Sequence, residues 1–353
     1  MDIIETINAR YSLRYLHKKL ILLLSLIMLP ALLIVNCQCQ LKPGQPPDAV
    51  TLQLKGMHQA QFAGFYMAQE KGYYSQENIE VTFLEGEKDL AIVQRVVYGQ
   101  ADFAVIAPES VLVARSQGQP VTAIAAIYRQ SPIVYVALSD SGILRPRDFL
   151  GKIVATLDAS GSQQDLQVQF YIMMKRLGLD ISKIKLIAWD PVYTTFYRGE
   201  ADVTPCYSSV DLIEMRQKGL KLNLIWPSDY GVYFYSDMVV TRDSLIKENP
   251  GLVTRFLRAT LRGWQDAIED YQQAMPVVQK YDPGTDPLVQ AAMLEAQLPL
   301  VHTGEDYIGW MKPEDWQAMY KVLLDNGLLT EPFDVGLAYT MQFLQEIYGS
   351  EGK

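Results

Sequence analysis

Apolar and polar residues alternate in a short stretch near residue 50 and then change to a helical spacing. Val50, Leu52 and Leu54 occupy every second position, which indicates a strand. Apolar residues then recur at helical spacing over 65–74, and alternation returns at 79–83. The pattern predicts two parallel strands joined by a helical crossover.

The same order of strand, loop and helix recurs along the chain. Strands are predicted at 103–106 and 121–128, and Pro132 keeps the segment after them extended. The most informative repeat is YGQAD at 98–102 against RGEAD at 198–202. In each copy, the glycine is predicted to end an amphipathic helix, and the Ala-Asp pair is predicted to begin a buried strand. Two copies in equivalent places indicate two duplicated α/β halves.

These patterns predict an α/β fold with two lobes. Lobe 1 is discontinuous and comprises residues 48–138 and 230–350, whereas lobe 2 comprises residues 139–229. The alternation over 232–240 supplies the return crossing and a strand of lobe 1. Beyond it the pattern is helical to the end, and we expect these helices and their tryptophans to be structural.

Residues 1–40 are predicted to be an export leader and tether. Basic residues precede an apolar run at 20–35, as in secretory leaders. This run is somewhat short for a spanning helix, which needs about 20 residues. The sequence LLIVNC resembles a lipoprotein processing box and predicts lipidation at Cys37, with an ordinary cleaved leader or an uncleaved anchor as alternatives. We expect an exported protein, periplasmic or at the cell surface, anchored through Cys37.

Charge and cysteine content narrow the possible functions. The chain of 353 residues carries 31 Lys and Arg against 40 Asp and Glu, a formal charge of -9. This balance argues against a nucleic-acid partner, whose phosphates require clustered basic residues. Only Cys206 lies in the body of the chain, and the three histidines are scattered, so we predict neither a metal site nor a cofactor.

Three segments resemble one family of proteins. QFAGFYMAQEKGYYSQENIEVTF at 61–83, GQADFAV at 99–105 and YRQSPIVYVAL at 128–138 are similar to pyrimidine-precursor and sulfonate-type solute-binding proteins of ABC importers. This group is often filed under the name of the fungal thiamine-pyrimidine synthase, and the resemblance covers roughly residues 48–348. It implies a two-lobed, type II periplasmic-binding-protein fold, with two parallel or mixed sheets, flanking helices and a ligand cleft between the lobes. It also implies a monomer that delivers a small metabolite to an ABC permease in the membrane.

Predicted ligand contacts lie in the loops that follow strands and at the crossings between lobes, because ligands of open α/β sheets bind beyond the carboxyl ends of the strands. The predicted residues are Met57, His58, Gln59, Phe62, Pro108, Glu109, Ser110, Tyr128, Ser160, Gly161, Ser162, Asp190, Tyr193, Tyr207, Ser208 and Tyr233. Glu109 is suited to an amino or protonated ring group of a ligand. The alternative for Glu109 and Ser110 is a local role at a helix start, and the alternative for His58 is a solvated loop position.

The resemblance also raises the possibility of an enzyme. The synthase chemistry would need a lysine, a histidine and a cysteine-rich run, but the matching segments place Ile106, Ser110 and residues 231–235 at those positions. We therefore predict a binding protein without catalytic residues, with pyrimidine synthase as the disfavoured alternative and a receptor's ligand-sensing domain as a third possibility. A pyrimidine or thiamine-precursor ligand is favoured. Gly56 replaces a tryptophan common in the family, so sulfonates and flavins also remain open.

Overall fold

The computed structural model describes residues 46–86, 92–157, 164–304 and 307–349. The predicted leader with Cys37 lies outside the described residues. So does the predicted contact loop of Ser160, Gly161 and Ser162.

A mixed five-stranded sheet contains the first strands of the chain and one late strand. Its strands are β1 (Asp48–Gln53), β2 (Ile79–Leu84), β3 (Phe103–Ile106), β4 (Val121–Tyr128) and β10 (Ser236–Arg242), in the order β2-β1-β3-β10-β4. Strand β1 runs parallel to β2 and β3, while β10 is antiparallel to β3 and β4. The parallel crossover predicted from the opening pattern is therefore confirmed, and the late strand returns to the sheet of the first strands.

The remaining strands form two smaller sheets. They are β5 (Ile133–Leu138), β6 (Ile153–Leu157), β7 (Lys185–Ala188), β8 (Thr204–Tyr207) and β9 (Leu222–Ile225). Strands β8-β5-β9 pair antiparallel, and β6 pairs parallel with β7. A parallel bridge between Val154 and Val203 connects the two sheets. The predicted lobe boundaries themselves stay a prediction.

Helices surround these sheets and make up most of the chain after β10. Their bounds are α1 (Ala63–Glu70), α2 (Tyr73–Gln76), α3 (Ile92–Val97), α4 (Pro108–Ser116), α5 (Gln164–Arg176), α6 (Thr194–Tyr197), α7 (Asp211–Gln217), α8 (Asp243–Glu248), α9 (Pro250–Glu269), α10 (Tyr271–Tyr281), α11 (Pro287–Val301), α12 (Pro313–Asp325) and α13 (Gln342–Tyr348). Short 3-10 turns lie at Ala60–Phe62, Pro146–Phe149, Ile181–Lys183, Pro227–Tyr230 and Val335–Leu337. Among the described residues, no helix is both long enough and apolar enough to cross a membrane.

The two copies of the Gly-x-Ala-Asp repeat perform the same structural task. Asp102 Oδ2 accepts a hydrogen bond from the Thr51 backbone N–H at 3.0 Å, and Asp202 Oδ2 accepts one from the Ile153 N–H at 2.8 Å. Thr51 lies in β1 and Ile153 begins β6. Asp102 therefore connects the start of β3 to β1, and Asp202 connects the segment before β8 to β6. The equivalence predicted from the repeat is confirmed.

Helices α1 and α9 pack closely enough to require glycine in both. A Cβ added at Gly64 would lie 2.1 Å from the Trp264 ring, and one added at Gly263 would lie 2.2 Å from the Gly64 carbonyl oxygen. Trp264 is buried in this contact, and Trp316 is buried in α12. These two tryptophans belong to the core, as predicted.

Candidate functional site

Charged and polar side chains form a buried cluster where the five-stranded sheet meets the elements of the smaller sheets. Lys55 follows β1, Asp165 lies in the first turn of α5, and Tyr207 ends β8. Asp165 Oδ2 accepts hydrogen bonds from Lys55 Nζ at 2.7 Å and from the Tyr207 hydroxyl at 2.6 Å. Lys55 Nζ also contacts the Tyr207 hydroxyl. Since all three side chains are buried, this ion pair joins the two regions in a setting with little water.

A second set of hydrogen bonds joins the same regions beside the ion pair. Gln169 Nε2, one turn after Asp165 on α5, donates to Glu109 Oε1 at 2.9 Å. The Ser131 hydroxyl donates to Gln169 Oε1 at 3.2 Å. Glu109 is 0% exposed in the first turn of α4, so its carboxyl group has no direct contact with solvent.

Asp237 adds a third carboxyl group to the cluster. It lies in β10 with a left-handed φ of 49°, a conformation that aspartate tolerates better than most residues. Gln61 Nε2 donates to Asp237 Oδ2 at 2.6 Å, and the Ser236 hydroxyl donates to Oδ1 at 3.3 Å. Both oxygens of Asp237 are therefore occupied within the protein.

Burial controls the protonation of the cluster. Burial and the nearby Asp165 charge raise the pKa of Glu109 to about 8, against a partial lowering by the Gln169 hydrogen bond. Burial also raises the pKa of Asp237, although Lys55 and Gln61 oppose the shift. For Lys55 burial lowers the pKa, but the charges of Asp165, Asp237 and Glu109 outweigh it and the net shift is upward. At neutral pH Glu109 is therefore mainly protonated and Lys55 is charged.

Among the residues that the structure describes, two carboxyl oxygens of this cluster have no hydrogen-bond partner. They are Glu109 Oε2 and Asp165 Oδ1, on side chains that are 0% and 2% exposed. An unpaired buried polar atom costs about 1–3 kcal/mol, and each such atom in a native protein calls for an explanation. A molecule bound beside these oxygens would satisfy their hydrogen-bonding capacity.

A cavity of about 790 Å³ adjoins the cluster, and much of its lining comes from segments 129–133 and 226–235. Ser131 and Gln169 line it and also belong to the cluster's hydrogen-bond network. Aromatic side chains of Trp226, Tyr233 and Tyr235 contribute to its walls. Its volume lies in the range typical of small-molecule sites, about 300–1,000 Å³.

The structure brings only some of the predicted contact residues to this place. Glu109 and Tyr207 belong to the cluster, and Pro108 and Ser110 flank Glu109 in the first turn of α4. Tyr233 lies at the cavity and is 73% exposed. Ser208 is half-buried, and its backbone N–H donates to the Pro132 carbonyl oxygen at 2.9 Å.

Within the described part of the chain, the residues predicted in the first loop form no hydrogen bond with the charged members of the cluster. One of them, Gln59, is linked to the cluster indirectly. His58 Nδ1 lies 2.8 Å from the Tyr66 hydroxyl, and its ring packs against Tyr281. Met57 is exposed, whereas Phe62 is fully buried in the core. Gln59 Nε2 donates to Gln61 Oε1 at 2.7 Å, and Gln61 in turn donates to Asp237.

Two of the other predicted contacts, Tyr128 and Asp190, are hydrogen-bonded within the protein. Tyr128 donates its hydroxyl hydrogen to Gln297 Oε1 at 2.9 Å. Asp190 caps the start of α6, where its carboxylate accepts from the Thr194 and Thr195 backbone N–H groups. Burial pushes the pKa of Asp190 upward, but these hydrogen bonds outweigh it and leave the pKa lowered. Tyr193 is buried in a separate small apolar core.

Four members of the cluster were not predicted from the sequence: Lys55, Gln169, Asp165 and Asp237. Asp237 carried a usable signal, because a carboxylate beside the apolar run of a buried strand needs a partner. Asp165 and Gln169 are four residues apart and share one face of α5. Lys55 lies on the polar face of an alternating strand, which is commonly solvated, so its burial depends on packing that the sequence does not display.

Comparison with known proteins identifies relatives over most of the chain. The family model described as NMT1/THI5 like matches residues 59–274. A riboflavin-binding protein, RibY, from Chloroflexus aurantiacus is 27% identical over 84% of this chain and 86% of its own length. A formylaminopyrimidine-binding protein from Halalkalibacterium halodurans is 23% identical over 82% of this chain and 93% of its own length. Other relatives, including one from Legionella pneumophila, carry the name 4-amino-5-hydroxymethyl-2-methylpyrimidine phosphate synthase.

Solved structures identify the fold. The periplasmic aliphatic sulphonate-binding protein SsuA from Escherichia coli matches with a TM-score of 0.65 and 15% identity, over 82% of this chain and 91% of that chain. This likeness confirms the predicted periplasmic-binding-protein fold.

Proposed function

Since the chain belongs to the NMT1/THI5-like family, we propose that it is an extracytoplasmic solute-binding protein of an ABC importer. It binds a small metabolite at the buried cluster and delivers it to a membrane permease. Relatives named for riboflavin and formylaminopyrimidine binding support this proposal, as does the fold shared with a sulphonate-binding protein.

The observation that carries the proposal is the pair of unpartnered carboxyl oxygens on Glu109 and Asp165. Glu109 follows β3 of the five-stranded sheet, and Asp165 follows β6 of a smaller sheet. A ligand that bonds to both side chains holds the two regions together. This is the chemistry expected of a binding protein whose lobes close around its solute.

The favoured ligand contains a pyrimidine-type ring. Riboflavin and formylaminopyrimidine, for which two relatives are named, both contain such a ring. A sulfonate placed at the cluster would lie beside the buried carboxyl group of Asp165, where its negative charge would be repelled. A pyrimidine is therefore favoured over a sulfonate, and a flavin is the alternative.

The proposal includes the predicted organisation of the exported protein. Residues 48–138 and 230–350 form one lobe, residues 139–229 form the other, and the cluster lies between them. The protein is a monomer, anchored through lipidated Cys37. Replacing Cys37 with serine should release it from membranes, and an unchanged membrane fraction would contradict the anchor.

The competing function is pyrimidine synthesis, because several relatives are named as pyrimidine phosphate synthases. Ile106 and Ser110 occupy the positions matched to the synthase lysine and histidine, and residues 231–235 contain no cysteine. In the synthase reaction that the resemblance implies, the lysine holds pyridoxal phosphate and the cysteine-rich run binds iron. We therefore expect no pyrimidine product when the purified protein is incubated with pyridoxal phosphate and iron. Detection of product would replace the binding role with the enzymatic one.

A direct test is to identify the bound solute. The full chain is purified, analysed by native mass spectrometry, and titrated calorimetrically with a formylaminopyrimidine, riboflavin and an alkanesulfonate. We expect saturable binding of a pyrimidine-type compound, at least about tenfold weaker in Asp165→Ala and unaffected in the exposed control Asp180→Ala. A protein that binds no solute from extract or panel would contradict the proposed function.

A further inference from the structure

We propose that Glu109 and Asp165 form a donor–acceptor pair that recognises the edge of a neutral pyrimidine-type ring. Protonated Glu109 donates its O–H to a ring nitrogen or carbonyl oxygen, and ionised Asp165 accepts the adjacent N–H. This inference rests on the proposed function and specifies the chemical group that the site selects.

Each of the two side chains has one oxygen engaged and one free. Glu109 Oε1 accepts from Gln169 at 2.9 Å, and Asp165 Oδ2 accepts from Lys55 at 2.7 Å and from Tyr207 at 2.6 Å. These bonds fix the orientation of both carboxyl groups. Within the described ranges of the chain, Glu109 Oε2 and Asp165 Oδ1 have no hydrogen-bond partner, and both side chains are buried. The two free oxygens therefore act as preorganised contacts.

The protonation states follow from the groups that face each carboxyl. Lys55 Nζ lies 2.7 Å from Asp165 Oδ2 and forms an ion pair with it. Glu109 faces the Asp165 charge from α5, and burial together with this charge raises its pKa to about 8, with Lys55 opposing more weakly. Asp237 in β10 is the other carboxyl of the cluster and is bonded to Gln61. At neutral pH the free oxygens are therefore one donor and one acceptor.

Other ligand classes fit this pair less well. An anionic sulfonate offers no N–H to Asp165 and places negative charge beside it in a buried setting, where such repulsion is strong. A cationic ligand would favour the ionised form of Glu109, so that Glu109 would lose its proton when the ligand binds. A neutral ring with adjacent N–H and acceptor satisfies both oxygens without moving a proton, and leaving either one unpaired costs about 1–3 kcal/mol.

The pH dependence of affinity distinguishes the neutral edge from a cation. Glu109 must keep its proton to donate, so ligand binding raises the pKa of Glu109 further above about 8. Affinity for the neutral ring is then constant below about pH 8 and falls up to about tenfold per pH unit above it. A cation would show the opposite sign, with affinity rising toward about pH 8.

The experiment titrates the full chain with 4-amino-2-methylpyrimidine and with lumichrome, which carries an imide edge, between about pH 7 and about pH 9.5. Matched negative probes are 2-methylpyrimidine, which lacks the amino group, and hexanesulfonate. We expect 4-amino-2-methylpyrimidine or lumichrome to bind at least about tenfold more tightly than either negative probe. The affinity of that compound should fall above about pH 8. Glu109→Ala should weaken binding about tenfold or more, and Glu109→Gln, whose amide is a permanent donor, should recover part of the loss and remove the pH slope. The exposed control Asp140→Asn should keep the wild-type slope.

Two results would overturn the inference while leaving the proposed function in place. One is a ligand affinity that rises with pH in the wild type, or a fall of affinity above about pH 8 that persists in Glu109→Gln. The other is a protein that binds a sulfonate or another solute but neither edge-bearing probe. Binding of no solute at all would overturn the proposed function as well, so the two failures are distinguishable.

Discussion

At the scale of single residues, Glu109 illustrates how the fold changes the chemistry of a side chain. Its pKa rises from 4.5 to about 8, first because burial disfavours the charged form and then because Asp165 lies nearby. The folded protein therefore holds a proton that the unfolded chain releases between about pH 4.5 and about pH 8. Linkage then requires that this residue lower the stability of the fold as the pH rises through that interval.

We predict that Glu109→Gln makes the protein less sensitive to pH. The amide cannot ionise, so the unfolding free energy of the wild type should fall more between about pH 5 and about pH 8 than that of the variant, by a few kcal/mol. Urea unfolding of the ligand-free proteins at the two pH values measures the difference. Other titrating groups, such as Asp211, whose pKa burial raises to about 6, are common to both proteins and cancel. Equal pH dependence in the two proteins would show that Glu109 is ionised at neutral pH.

Sequence reasoning predicted the members of the buried cluster that follow a strand directly and missed those whose burial depends on packing. Glu109 and Tyr207 were predicted because each stands at the carboxyl end of a strand in a duplicated half. Lys55 and Asp165 were not, since a lysine at a strand end and an acid in the first turn of a helix are common on solvated surfaces. Their burial follows from the approach of two regions more than one hundred residues apart in the chain.

At the scale of secondary-structure elements, the repeated aspartates provide a quantitative test of the duplication. Asp102 and Asp202 each accept a backbone N–H from the opening strand of their half. We expect Asp102→Ala and Asp202→Ala to lower the unfolding free energy by about 1–3 kcal/mol each, because that N–H loses its acceptor. Denaturant unfolding measures both, and the exposed neighbour Glu200 supplies the control, with a change within about 0.5 kcal/mol for Glu200→Ala. A loss in only one variant would contradict the structural equivalence of the copies.

The contact between α1 and α9 tests how tightly two elements are packed. A Cβ at Gly263 would lie 2.2 Å from the Gly64 carbonyl oxygen and 2.5 Å from the Ala68 nitrogen, and backbone atoms cannot move aside individually. We expect Gly263→Ala to destabilise the protein by about 3 kcal/mol, through forced separation of the helices. Gly251 lies in the same helix with open space around it, so Gly251→Ala should be neutral or stabilising by up to about 1 kcal/mol. Similar thermal shifts for the two variants would mean that the helices are less closely packed.

At the scale of the whole molecule, the sequence predicted the two α/β halves but not how they meet. Alternation, Pro132 and the Gly-x-Ala-Asp repeat located the strands, because these features are local. Strands β5 to β9 form a three-stranded and a two-stranded sheet, connected by the bridge between Val154 and Val203. No local pattern in the sequence indicates this division. The interface between halves depends on which polar faces become buried, and that is decided only when both halves are assembled.

The Lys55–Asp165 ion pair is the contact on which we expect closure of the two predicted lobes to depend. Without the lysine, the Tyr207 hydroxyl is the one remaining hydrogen-bond partner of the buried Asp165 side chain among the described residues. Breaking a buried pair in this way costs about 3–5 kcal/mol. Separation of the lobes lets water reach Asp165 and relieves that cost without unfolding either half. We therefore predict that ligand-free Lys55→Met has a larger radius of gyration than the wild type in small-angle X-ray scattering. The control is Lys71→Met, which removes the partly exposed pair with Asp266 and should leave the scattering unchanged. If Lys55→Met instead loses stability with no change in dimensions, the halves do not separate as lobes and the ion pair belongs to one rigid core.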